Sequence, residues 1–67
     1  MNYREYVSQF KGNNGDLAAS DDGNATFVVG GPAGIHILTE VHDDFALFKG
    51  CHEYAVPLSK LIITIHK

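Results

Sequence analysis

The sequence lacks the features by which many small chains gain covalent stability or attach to a membrane. It has 67 residues, a single cysteine and no tryptophan. One cysteine, Cys51, excludes an internal disulfide and favours a reducing, cytoplasmic compartment. The N-terminal MNYREYVSQF lacks the apolar segment of a signal peptide, and no apolar run approaches the roughly 20 residues that cross a bilayer. These absences predict a cytoplasmic protein with no membrane partner.

Cations are also scarce. Five Lys and Arg residues against eight Asp and Glu residues give a net charge of −3. This charge opposes nonspecific binding to nucleic acid, which depends on cations that neutralise phosphates, so any RNA site must be local. The apolar content of 45% is that of a globular domain, but so short a chain buries only roughly 60% of its unfolded surface. We therefore expect one domain, residues 1–67, that gains stability from a partner, most simply from further copies of itself.

The beginning of the chain predicts a short helix over residues 3–11. Asn2 is a typical N-cap, with Glu5 three residues later as in a capping box, and Gly12 is a typical helix end. So short a helix is unstable alone, and we expect its aromatic face to pack on the rest of the chain. The alternative use of this face is stacking on RNA bases. The face consists of Tyr3, Tyr6, Val7 and Phe10, which recur at helical spacing.

The rest of the chain predicts β structure. Residues 12–24, GNNGDLAASDDGN, have the composition of a loop, although residues 16–20 also fit a short strand before the turn DDGN. From residue 25 the chain is β-branched and aromatic. Five runs predict strands: ATFVV, IHILTEV, FALFK, HEYAV and LIITI. A 3₁₀ turn is expected at PLSK, since Pro57 cannot donate to a ladder. Five short strands with regular turns predict an antiparallel barrel or sandwich over residues 25–67.

The second of these strands alternates, with Ile35, Ile37, Thr39 and Val41 expected on one face. His36, Leu38, Glu40 and His42 are expected on the other face.

This order of elements, with a 3₁₀ turn before the last strand, resembles the Sm-like (Lsm, Hfq-type) family over residues 25–67. The stretch VHDDFAL matches the apolar positions of the family's first motif at Val41, Phe45 and Leu47, whereas the motif's Asp and Asn are replaced. VPLSKL fills the place of the second motif, with Lys60 as the only cation. The resemblance implies an all-β, small five-stranded antiparallel SH3-like barrel of Sm type with a short N-terminal helix.

The resemblance also implies a function. Sm-like subunits close into homo-oligomeric rings and bind RNA, so it implies RNA binding around Lys60, His42 and Phe45. Because the family's base-reading residues are absent, we expect weak binding. An alternative is a protein-interaction or assembly module that kept the barrel without the RNA pocket. In the family's ring, residues 61–65 pair with residues 52–56 of a neighbouring subunit. The implied interface residues are Tyr54, Val56, Leu61, Ile63 and Ile65.

The last strand, LIITI, supports an interface on physical grounds as well. It contains no charge, although proteins usually protect edge strands with charges or proline. A strand with apolar side chains on both faces is usually covered on both faces. Either a second subunit or the N-terminal helix of the same subunit provides the second cover.

Candidate catalytic and metal-binding residues each have a simpler interpretation. His36, Glu40 and His42, or Cys51, His52 and Glu53, are potential zinc ligands, but their spacing matches no compact motif and fits solvated polar residues. Cys51 beside a histidine resembles a nucleophile pair, although no motif surrounds it. The pairs Asp21-Asp22 and Asp43-Asp44 are typical turn formers. We expect no enzyme activity, cofactor, metal or small-molecule substrate.

Overall fold

One short helix and six strands follow one another in the computed structural model, which describes residues 1–67. The helix α1 spans Tyr3–Ser8. A 3₁₀ helix at Leu58–Lys60 separates the last two strands. The prediction of a mostly β protein with a short N-terminal helix is confirmed. The strands are β1 Asn14–Ala19, β2 Ala25–Val29, β3 His36–Val41, β4 Phe45–Lys49, β5 Glu53–Pro57 and β6 Leu61–Ile65.

The strand count corrects the prediction of five, because β1 lies within the stretch 12–24 that was expected to be mainly a loop. β1 pairs with β2 along its length, from Gly15 opposite Val29 to Ala19 opposite Ala25. Gly15 is buried, and a Cβ there would overlap the backbone carbonyl of Val28 and lie 2.9 Å from the ring of Phe27. The glycine thus allows close packing in a strand, a role that its loop-like neighbours conceal in the sequence.

The strands form a single sheet in the order β5-β4-β3-β1-β2-β6. β2 and β6 are parallel, which corrects the expectation of an entirely antiparallel arrangement. The sheet does not close, so β5 and β6 each have one unpaired edge. Because only the 3₁₀ helix joins β5 to β6, the sheet is rolled and its two edges approach each other at that end.

Helix α1 begins as the sequence predicts and ends earlier. The Asn2 side chain accepts a hydrogen bond from the Glu5 N–H at 2.8 Å, a typical N-cap. The helix ends at Ser8, and the following turn continues to Gly12, which has a φ of 88°. Val7 is fully buried, Tyr6 and Phe10 are half-buried, and Tyr3 is 41% exposed. No helix has the length and apolar character needed to cross a membrane.

The core lies on the concave side of the rolled sheet, beneath α1. Phe27 of β2 and Phe48 of β4 face each other with ring centroids 4.8 Å apart. The buried apolar side chains are Val7, Phe27, Leu38, Ala46, Phe48, Val56 and Leu61. Every strand except β1 contributes one or two of them, so the core depends on contacts between distant parts of the sequence.

A β-bulge in β3 changes the predicted alternation. The register against β4 shifts between Leu38 and Glu40, and Thr39 Oγ1 donates to the Leu47 carbonyl at 3.1 Å. Leu38 is fully buried, and Val41, three residues later, packs against the same core. The prediction that Leu38 and Val41 lie on opposite faces is therefore wrong, because a bulge adds one residue and inverts the alternation beyond it.

Candidate functional site at the sheet edges

The hydrogen bonds at both ends of the β4–β5 pair show which groups of β5 remain unpaired. The Gly50 N–H donates to the His52 carbonyl, and the Leu58 N–H donates to the Asp44 carbonyl, both at 2.9 Å. In an antiparallel pair, residues that bond to the partner alternate with residues whose backbone groups point away. Even-numbered residues of β5 therefore bond to β4. The odd-numbered residues, whose groups point to the free edge, are Glu53, Ala55 and Pro57.

Pro57 occupies one of the outward positions. Proline has no N–H to offer a ladder and is found mainly in edge strands with that position facing solvent. The free edge of β5 therefore offers the N–H and carbonyl groups of Glu53 and Ala55, whereas the Pro57 carbonyl, at the N-cap of the 3₁₀ helix, already accepts one hydrogen bond within the chain. Ala55, at its centre, is exposed and has a side chain too small to shield the backbone. No part of the chain pairs with this edge.

The free edge of β6 differs because the chain partly covers it. The His66 N–H donates to the Val29 carbonyl at 2.9 Å, so in the parallel pair the even-numbered residues bond to β2 and the odd-numbered ones face outward. The Tyr3 hydroxyl donates to the outward carbonyl of Leu61 at 2.6 Å. The Leu61 N–H donates to the Leu58 carbonyl. Helix α1 thus occupies the first part of the β6 edge.

Burial raises the pKa of Tyr3 above its usual value, and a hydrogen bond with the Ile63 backbone acts in the opposite direction. The hydrogen bonds with Leu61 and with Ile63 both place the Tyr3 hydroxyl against the outward backbone groups of β6. Tyr3 therefore serves as a substitute strand partner for this edge.

A cavity of about 500 Å³ lies beside β5 on the concave side of the sheet. The walls come from the β1–β2 hairpin on one side and from β5 on the other, and only Glu53 among the lining residues carries a formal charge. The cavity is lined by Leu17, Ala19, Ala25, His36, Glu53, Tyr54, Ala55 and Val56. Apolar walls with a few polar groups are typical of binding sites.

His36 stabilises the strands where this cavity begins. β1 and β3 pair only at Asn14–Ile37 and Gly15–His36. Beyond that point the Leu17 N–H donates to His36 Nδ1 at 3.3 Å. A Cβ at Gly50 would lie 2.8 Å from the imidazole, so glycine makes room for the ring. His36 thus replaces a missing backbone acceptor as the two strands separate.

The predicted interface residues divide into two groups. Val56 and Leu61 are 8% and 4% exposed, and Ile63 packs against the core, so these side chains fill their own subunit. Tyr54 and Ile65 are 38% and 49% exposed. On the other face of β6, Ile62 is 45% exposed, and it rather than Ile63 provides the outer apolar surface of LIITI.

The residues predicted to contact RNA lie at the end of the sheet where β3 turns into β4. The rings of His42 and Phe45 stack with centroids 4.7 Å apart and planes 25° apart. The Leu58 N–H bonds to the Asp44 carbonyl in this turn, which brings the 3₁₀ helix with Lys60 to the same end. All three are at least partly exposed.

Acidic groups surround this stack. Glu40 Oε1 lies 3.2 Å from His42 Nε2, and Arg4 forms an ion pair with Asp43 at 2.7 Å. The exposed Asp44 adds a further carboxylate. These carboxylates oppose an RNA phosphate at the turn.

The candidate catalytic and metal-binding residues do not converge. No group of three or more His, Cys, Asp and Glu side chains is arranged to hold a metal ion, and the β3 bulge removes the shared face expected for His36 and His42. Cys51 is a free, exposed thiol. Asp22 accepts hydrogen bonds from Ser20 and from the Asn24 N–H, as a turn former does.

Sequence reasoning predicted an intersubunit edge at residues 52–56 only through the resemblance, and it missed the cavity beside β5. The available signal was Pro57 at the end of HEYAV, since a proline in a strand indicates an edge. The cavity had no signal, because its lining residues come from β1, β2, β3 and β5. Comparisons of the chain with protein-family models, curated proteins and solved structures found no match.

Proposed function

We propose that this protein is a non-enzymatic assembly module that associates with further copies of itself through the open edges of its rolled sheet. The observation that carries the proposal is the unpaired edge of β5, where Ala55 exposes its backbone and no side chain of the same chain covers it. Unpaired strand edges are templates for another strand, and proteins that remain monomeric usually block them. Here Tyr3 partly blocks the β6 edge, whereas Glu53 and Pro57 restrict the β5 edge only at its two ends and leave its centre at Ala55 open.

The small size of the chain supports the same proposal. Seven residues form the buried core, and chains of this length commonly gain stability from disulfides, metals or oligomerisation. The apolar side chains Ile62 and Ile65 remain about half exposed on β6. Association that covers such side chains adds apolar burial that one subunit lacks.

The relation to Sm-like barrels is part of this proposal. The antiparallel succession β3-β4-β5, the 3₁₀ helix before the last strand and the N-terminal helix agree with that family's order of elements. The additional strand β1 and the parallel β2–β6 pair differ from the five-stranded expectation. A ring that pairs β5 of one subunit with β6 of the next is the form of assembly implied by the resemblance.

RNA binding at the end of the sheet near Lys60 is a second candidate, favoured by the exposed stack of His42 on Phe45. Aromatic rings stack on bases without sequence preference. The neighbouring carboxylates of Glu40, Asp43 and Asp44 predict that binding is weak.

Sedimentation velocity and light scattering over micromolar to millimolar concentration test the proposal. We expect a mass that rises above the 7.3 kDa of one chain. Because each copy has a net charge of −3, added salt should strengthen self-association by screening repulsion. RNA binding, measured by fluorescence anisotropy of a labelled oligonucleotide, should instead weaken with salt. A single 7.3 kDa species at every concentration and salt level would refute self-assembly.

A further inference from the structure

Resting on the proposed self-assembly, we infer that the primary interface is isologous: β5 pairs antiparallel with β5 of a second copy about a twofold axis at Ala55. In an isologous interface the same residues of both subunits face each other. The occupant of the β5 edge is thus a second copy of this chain.

The hydrogen-bonding groups of the edge are complementary to themselves in this register. The Ala55 N–H of each copy donates to the Ala55 carbonyl of the other, because their backbone groups both point outward. The register also sets Glu53 opposite Pro57 of the second copy. The Glu53 N–H then donates to the second lone pair of the Pro57 carbonyl, whose first lone pair accepts the 3₁₀-helix bond. The missing N–H of proline removes only one further bond at each end of the interface.

The charges on the edge agree with the same register. Glu53 is the only charged residue in β5, and directly opposed like charges destabilise a strand pair. With the axis at Ala55, each Glu53 faces a proline, and the two carboxylates lie at opposite ends of the interface. A shift of the axis to Glu53 would place the two glutamates directly against each other.

The cavity beside β5 provides apolar surface on the concave side of the same interface. Tyr54 and Val56 both line it, and the register sets Tyr54 opposite Val56 of the second copy. Tyr54 is 38% exposed, and it packs on an apolar partner in the pair. Across the cavity, the opposite wall has the small side chains of Ala19 and Ala25.

The competing β5–β6 pairing meets an obstacle that the isologous pair avoids. Tyr3 bonds to the Leu61 carbonyl on the β6 edge, and the Leu61 N–H is used within the subunit. A strand that pairs there must first displace Tyr3. Two five-residue strands form an interface at the low end of the usual range, below about 1,200 Å², so the dimer is weak and depends on concentration.

Charge substitutions at Ala55 test the twofold axis directly. Ala55→Lys and Ala55→Glu place like charges opposite each other in each homodimer, and opposite charges when the two variants are mixed. We expect each variant alone to dimerise severalfold more weakly than the unmodified protein, and the mixture to restore dimerisation. Ala18→Lys and Ala18→Glu, on the exposed part of β1, are matched controls that change net charge equally and should show no such restoration.

Ala55→Pro is a second variant that removes the central N–H donor without removing a bond to β4. We expect a folded monomer, with the fold checked by circular dichroism. If Ala55→Pro does not fold, the charge variants at Ala55 still test whether the two β5 strands pair about this axis. Should the unmodified protein assemble while the Ala55 variants assemble equally well and mixing has no effect, the isologous pair is wrong and self-assembly stands. A monomeric unmodified protein would refute both.

Discussion

Removal of the Tyr3 hydroxyl tests whether helix α1 covers the β6 edge. Tyr3→Phe keeps the ring and removes the donor that lies 2.6 Å from the Leu61 carbonyl. A hydrogen bond of this kind contributes a net 0.5–1.5 kcal/mol, roughly, to stability. Because water can reach the carbonyl once the hydroxyl is gone, we expect a loss of about 1 kcal/mol. In a domain of this size the melting temperature should fall by about 4–8 °C.

Tyr6→Phe is the matched control on the same helix, since no hydrogen bond of the Tyr6 hydroxyl is present in the structure. We expect a change below about 0.5 kcal/mol for the control. Both variants are compared in urea at one low protein concentration, so that assembly contributes equally. Equal effects of the two substitutions would show that the Tyr3 hydroxyl contributes nothing to the edge.

The same contact predicts a dependence on alkaline pH. Burial raises the pKa of Tyr3 in the folded protein above the value of 10.0 for a free tyrosine. The folded state therefore retains this proton more firmly than the unfolded state does. The resulting stability is complete below pH 10.0 and is lost as the pH rises through the raised pKa. Tyr3→Phe should reduce this alkaline loss of stability relative to Tyr6→Phe, and identical alkaline profiles would contradict the assignment.

Three further outcomes follow from individual contacts. Val7→Ala removes two methyl groups from a fully buried site and should cost about 2 kcal/mol in urea unfolding; a change below about 0.5 kcal/mol would mean that α1 is undocked. Asp16→Ala removes the acceptor of the Gly34 N–H at 2.9 Å and should lower the free energy of unfolding by about 1–2 kcal/mol. An unchanged urea midpoint would show that this hydrogen bond does not stabilise the loop before β3. Hydrogen bonds from Ser20 and the Asn24 backbone lower the pKa of Asp22. Its contribution to the free energy of unfolding is therefore present above the usual Asp pKa range and is lost as the pH falls through the lowered pKa. An Asp22→Asn variant whose stability depends on acid pH as the parent's does would contradict this.

Local signals in the sequence predicted much of the fold. The Asn2 cap, the buried Val7 and the strands β2 to β6 follow from spacing, β-branched residues and turn residues. The sequence left a strand at residues 16–20 as an open alternative because Gly15 and its polar neighbours have loop composition, while the reason for a glycine at residue 15 is the close approach of the Val28 carbonyl and the Phe27 ring. Such a contact between different parts of the chain leaves no local pattern.

The sequence predicted where the strands lie better than it predicted how they pair. The parallel pairing of β2 with β6 depends on which distant edges meet, and the β3 bulge depends on the register against β4. The sequence predicted that LIITI has two apolar faces that need cover. It did not predict which face is which, because the inward position of Leu61 and Ile63 and the outward position of Ile62 depend on how β6 pairs with β2. Pro57 was predicted to end a strand, whereas its position on the unpaired side of β5 requires the pairing pattern.

Amide hydrogen exchange at β5, followed by NMR as a function of protein concentration, tests most directly whether the protein assembles through this edge. The N–H groups of Glu53 and Ala55 point away from β4, while those of Tyr54 and Val56 bond to it. Self-association through β5 predicts that the Glu53 and Ala55 amides exchange rapidly in dilute solution and become protected as concentration rises. The Tyr54 and Val56 amides should be protected throughout. Rapid exchange of Glu53 and Ala55 at a concentration where the mass exceeds one chain would contradict assembly through this edge.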